Sequence, residues 1–160
     1  MVRDQEPLFL LSELQCQTGF IDNKSLFSYR KNTGLIIKRL RVAGDKGERR
    51  LQVLFDTGAS VSFVRRDVVE KMATVVKLPS PETYTLRDGV GKLRVNEIVV
   101  LHVFINGVRT SDNFIVATRL SNEVIIGATT MQKWRIKLDL ENEKVIIDKR
   151  MAGLKRRRPF

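Results

Sequence analysis

The chain has 160 residues, of which 42% are hydrophobic and 29% charged, and a formal net charge of +11. That is enough apolar material for one domain with a buried core, and no apolar run approaches the ~20 residues that span a bilayer, so a disordered chain and a helical membrane protein are excluded. One cysteine and one histidine exclude a disulfide framework and a Cys/His metal cage, and neither a metal nor an organic cofactor is expected.

Residues 1–33 are of mixed character, with Leu8, Leu11 and Leu14 followed by a polar stretch, and read as an N-terminal extension with room for one short helix. Cys16 within it reads as a small apolar or incidental thiol. The continuous apolar run at 8–11 follows Asp4 and Glu6. It is too short and too acidic for a secretory signal, so an intracellular, cytoplasmic protein is expected.

From residue 34 the pattern becomes that of strands. Residues 35–42 and 51–55 flank the turn chemistry of Gly44-Asp45-Lys46-Gly47 and predict a β-hairpin. Val64, Val68 and Met72 recur at helical spacing. Residues 84–87 and 92–95 flank Asp88-Gly89-Val90-Gly91, a second hairpin whose Asp-Gly step suits the positive φ of a tight turn. Residues 96–105 predict a long strand, apolar on both faces, that turns at Asn106-Gly107 into another ending near 114–117. Such a strand belongs inside a layered or barrel-like β fold. Residues 128–134 read as one or two helical turns capped by Thr129 or Thr130, and two strands, 135–140 and 145–147, close the pattern.

Strands without βαβ units exclude a doubly wound nucleotide-binding fold. The organisation is therefore an extension over residues 1–33, one domain over 34–148 and a basic tail over 149–160. In that tail Lys149, Arg150, Lys155, Arg156, Arg157 and Arg158 contribute six positive charges without an acid among them. It reads as a solvated end, with nucleic acid an accessory partner through it and not the main function.

Chemistry concentrates at Asp56-Thr57-Gly58-Ala59-Ser60, where a carboxylate closes an apolar strand. Gly58 permits a sharp turn that aims amides back at the Asp56 oxygens, while Thr57 offers a hydroxyl to neighbouring main chain. An Asx-turn or β-turn without function fits the same three residues. His102 lies in an apolar strand and reads as a hydrogen-bonded sheet residue. Ser60 and Ser62 lack a base that would make either a nucleophile, and Met131 and Trp134 read as core.

The run Leu54-Phe55-Asp56-Thr57-Gly58-Ala59-Ser60, preceded by one hairpin and followed by another and by Val124-Ile125-Ile126-Gly127, resembles the retropepsin-like aspartic proteases, the family of retroviral proteases and their cellular relatives. The resemblance spans residues 35–147 and rests on the order and spacing of these pieces. It implies a mainly β, closed, barrel-like retropepsin (acid protease) fold with one or two short helices. It also implies that Asp56 is catalytic and that Thr57, Gly58, Ala59 and Gly127 support it. Arg87, Asp88, Gly89, Val90 and Gly91 would form a substrate-binding flap. Retroviral members pair an acidic residue soon after the first motif with an arginine directly after the second glycine. Ser60-Val61 and Ala128 stand at those places here. Both halves are missing together, no charge is stranded, and the cellular relatives resemble this pattern better.

Peptide hydrolysis of this kind needs two carboxyl groups facing one water. With one Asp-Thr-Gly per chain, a pair arises by two-fold self-association. At ~3 Å and an effective dielectric of ~20 two such charges would repel by about 5 kcal/mol, so the pair shares a proton. The expected protein is a homodimeric aspartic endopeptidase acting on extended polypeptides, without a membrane partner. The alternative is a catalytically inactive protein-binding or scaffold module of the same fold.

Overall fold

The computed structural model describes residues 35–85 and 90–154. Residues 1–34, 86–89 and 155–160, and with them the N-terminal extension, Cys16, Arg87, Asp88, Gly89 and the second half of the basic tail, lie outside the described residues.

Strands β1 (Leu35–Ala43) and β2 (Glu48–Asp56) form the first expected hairpin, in register from Leu35 opposite Asp56 to Ala43 opposite Glu48. Its turn is docked as well as closed. Gly44 N–H donates to the Gly47 carbonyl at 2.8 Å, Lys46 N–H donates to the Met72 carbonyl at 2.9 Å, and Asp45 accepts from the amide and hydroxyl of Thr74. A Cβ on Gly44 would sit 2.4 Å from the Met72 carbonyl oxygen, so the turn has no room for a side chain there.

The helix expected from Val64, Val68 and Met72 is shorter than its spacing suggests. Val64 belongs to β3 (Phe63–Arg65) and α1 covers Arg66–Val69. Ladders on both sides, parallel to one strand and antiparallel to another, claim Phe63 and Val64 as strand and override the local period. Val68, Val69 and Met72 still face the core.

The second hairpin joins β4 (Val76–Thr85) to β5 (Lys92–Ile105), with Thr85 opposite Lys92. The two predicted pieces 92–95 and 96–105 are one continuous strand. Asn106 (φ 49°) and Gly107 (φ 82°) then make the left-handed turn into β6 (Val108–Ala117). After β7 (Val124–Ile126) and α2 (Ala128–Lys133), β8 (Lys137–Asp139) and β9 (Lys144–Ile146) pair as a small separate sheet. The cap of α2 is Gly127, without a side-chain cap bond. The hydroxyls of Thr129 and Thr130, expected to cap it, are engaged with other partners. A third helix, α3 (Arg150–Leu154), occupies the start of the basic tail, and its half-buried Met151 and Ala152 pack against the core.

The sheet runs β1-β2-β7-β3-β6-β5 and closes where Val42 and Ala43 of β1 pair with Val103 and His102 of β5. The result is a six-stranded barrel with β4 added outside β5. Val53, Phe55, Val64, Leu101, Phe114 and Ile126 fill one side of the central strands. Alternate residues Leu54, Phe63, Ile115 and Ile125 form a second apolar cluster on the other. Coverage on both faces explains why these strands read as unbroken apolar runs. Among the described residues no helix is long and apolar enough to cross a membrane.

Candidate active site

Strand β2 becomes progressively buried toward its end: Arg49 and Arg50 are exposed, whereas Val53 to Asp56 are all inside. Asp56 itself is 4% exposed. Its surroundings orient it. Gly58 N–H donates to Asp56 Oδ1 at 2.8 Å, and Ala59 N–H donates to the Asp56 carbonyl at 3.2 Å. This bond from a fixed amide holds one carboxyl oxygen in place, and the turn leaves Thr57 and Gly58 exposed.

The second motif arrives beside the first because β7 runs parallel to β2, with Ile126 opposite Phe55. Gly127 therefore emerges next to the Asp56 turn. Ala128 N–H donates to the Ala59 carbonyl at 2.7 Å, and both the amide and the hydroxyl of Thr129 donate to the Ser60 carbonyl, at 3.1 and 2.7 Å. Asp56, Thr57, Gly58, Ala59 and Gly127, singled out from two distant motifs, are thus brought into one cluster of two stitched loops. Thr57 lines a groove of about 640 Å³ whose wall includes Ala128, Met131, Ile136, Leu138 and Leu140.

Of the residues expected to form a flap, Val90 is 81% exposed and Gly91 stands just before β5. The base of the hairpin rests on the barrel. Tyr84 meets Phe63 edge to face, ring centroids 6.0 Å apart, over the apolar cluster that contains Leu54 and Ile125. Burial, and then Glu82, which accepts from the Tyr84 hydroxyl, push its phenol up to about 12.

His102 is a sheet residue as expected, its Nδ1 2.6 Å from Ser111 Oγ. Met131 and Trp134 are core. Ser62, set aside as a nucleophile, has a different place: its hydroxyl lies between Gly127 N–H and Thr130 Oγ1, and Thr130 reaches Asp112. No local pattern marks these three, because their partners lie on different elements. Among the described residues there is no group of three or more His, Cys, Asp or Glu side chains that could hold a metal.

No protein-family model and no curated protein matches the sequence. Among solved structures, the chain is similar to the retroviral protease-like domain of Ddi1 from Leishmania major, with 16% identity and a TM-score of 0.53 over 71% of this chain and 90% of that one. It also matches the foamy viral protease-reverse transcriptase in complex with an RNA/DNA hybrid, at 16% identity and a TM-score of 0.38 over 61% of this chain and 12% of that one. A Legionella pneumophila protein of unknown function matches at 10% identity and a TM-score of 0.37 over 61% and 84%. With the closed barrel and the first of these likenesses, the chain has a mainly β, retropepsin-like fold.

Proposed function

We propose that the chain is an aspartic endopeptidase that works as a homodimer. The observation that carries this reading is the Asp56 carboxylate: buried, gripped by the Gly58 amide, and set beside Gly127 at the end of the parallel β2–β7 pair of a retropepsin-like barrel. Each chain supplies one such group, and activating a water between two carboxyls requires a second copy. The ionised aspartate takes a proton from the water, which attacks the scissile carbonyl; the neutral one hydrogen-bonds to that carbonyl oxygen and protonates it. The β4–β5 hairpin covers an extended polypeptide and pairs with it through backbone groups. Two carboxyls and a water suffice for this chemistry, without a metal or organic cofactor.

Asp56→Asn is nearly isosteric and tests it. Incubated with a mixed peptide library across pH, the wild type is expected to make cuts that the variant does not, while circular dichroism and dimer mass stay the same. Equal cutting by both, or none by either, leaves the fold to a binding or scaffold role.

A further inference from the structure

A line of hydroxyls leads from the candidate active-site loop to the barrel surface. Gly127 N–H donates to Ser62 Oγ at 3.0 Å, Ser62 Oγ and Thr130 Oγ1 are 2.7 Å apart, and Thr130 Oγ1 donates to Asp112 Oδ2 at 2.8 Å. At the outer end Asp112 Oδ1 accepts from Lys133 Nζ at 3.1 Å and from Asn113 N–H at 2.9 Å. Ser62 and Thr130 are 2% and 3% exposed, whereas the side chains of Asp112 and Lys133 are 16% and 47% exposed. The line therefore starts dry and ends at solvent.

Each link fixes the next. An ionised carboxylate has no proton to give, so the Thr130 hydroxyl must donate to it. That uses the one proton of Thr130, and Ser62 has to donate to Thr130 in turn. The lone pairs of Ser62 are then left for the Gly127 amide, which needs an acceptor. Every buried donor and acceptor on the path is satisfied in one direction, and the charge on Asp112 sets that direction. Reversing a link would strand a hydroxyl proton inside the barrel at a cost. The path also crosses three parts of the fold: β6 carries Asp112, α2 carries Thr130 and Lys133, and Ser62 precedes β3. Ser62 is anchored a second time, since its carbonyl accepts from Ile115 N–H of β6 at 2.9 Å.

We propose that Asp112 is a positioning residue for the reaction: ion-paired to Lys133 at the surface, it orients the Gly127 amide through two buried hydroxyls and so braces the loop on which the Asp56 turn rests. This rests on the aspartic-protease reading for its kinetic consequence but not for its structural one. Asp112 does not touch substrate. Its loss acts on turnover rather than on binding, because the Asp56 oxygens move relative to the water while the apolar cluster under the hairpin is unaltered.

The test uses the full chain with Thr130→Val, Thr130→Ser, Asp112→Ala and Asp112→Asn, read by residue-resolved amide hydrogen exchange and by kcat and KM on a cleaved peptide. Thr130→Val and Asp112→Ala are expected to speed exchange at Gly127 by about tenfold, with Val103 in β5 unchanged, and to lower kcat by about tenfold or more at a KM within about twofold. Thr130→Ser keeps a hydroxyl and is expected to restore both values. Asp112→Asn keeps the shape but loses the charge that sets the direction, and faster Gly127 exchange is expected in it too, should Thr130→Val not fold. Unchanged exchange at Gly127 in the folded variants, or no rescue by Thr130→Ser, overturns the proposal. A wild type without Asp56-dependent cleavage sinks the protease reading instead, and the exchange measurement still decides whether Asp112 holds the loop.

Discussion

A Cβ on Gly127 would lie 2.3 Å from the carbonyl oxygen of Val61, so the two loops of the candidate site meet backbone to backbone. The Ala59 carbonyl oxygen, at 2.8 Å from the same point, leaves no way round. Gly127→Ala must push the loops apart and stretch the Ala128–Ala59 hydrogen bond. Overpacking against rigid backbone is expected to cost about 2–4 kcal/mol in a urea titration. A loss within about 0.5 kcal/mol of zero would mean that the loops yield freely.

The Asp45 carboxyl is held below its ordinary value by the hydroxyl and then the amide of Thr74, with Lys46 adding to the effect. The folded protein favours the charged form. This contact therefore stabilises above the unfolded value near 3.8 and fades as pH falls through the lower folded value. Asp45→Asn is expected to melt below the wild type at pH 7, and the two melting curves are expected to converge as pH falls through the lower folded value. A gap that stays constant across that range would contradict the assignment.

Burial first, and the Arg109 charge second, hold the His102 imidazole below its ordinary value. Here the unfolded chain takes up a proton more readily than the folded one. Stability thus falls as pH drops below the unfolded value of 6.5, and levels off once the folded ring is protonated as well. Between pH 8 and pH 5 the wild type is expected to lose more stability than His102→Gln, as read by chemical denaturation. Equal losses in the two proteins would show that the ring is not the source.

The edge-to-face contact of Tyr84 with Phe63 fastens the β4–β5 hairpin to the barrel. Tyr84→Phe keeps the ring and is expected to stay within about 0.5 kcal/mol of the wild type. Tyr84→Ala removes both ring and contact, for an expected loss of about 1–2 kcal/mol. If the hairpin covers substrate, the alanine variant also raises KM for a cleaved peptide. Stability and KM that stay with the wild type would detach the hairpin from the barrel face.

Turn chemistry at Gly44-Asp45-Lys46-Gly47 and Asn106-Gly107 announces the β1–β2 and β5–β6 hairpins, and the apolar run ending in Asp56-Thr57-Gly58 announces the candidate site, because these signals pass between near neighbours. Gly127 was tied to Asp56 in the sequence by family resemblance alone; its adjacency comes from the parallel pairing of β7 with β2. The tertiary structure decided the rest. Val64 left its helical period for a strand when two ladders claimed it, and Thr129 and Thr130 gave up capping, Thr129 for the Ser60 carbonyl of the other loop and Thr130 for Asp112 of β6. The Ser62–Thr130 contact joins residues 68 apart, and the Thr130–Asp112 contact residues 18 apart, with no period to betray them. Alternation and turns are local preferences of the backbone. Which hydroxyl faces which carboxylate depends on where β1 meets β5 and the barrel closes, and that is settled by the packing of all the strands at once.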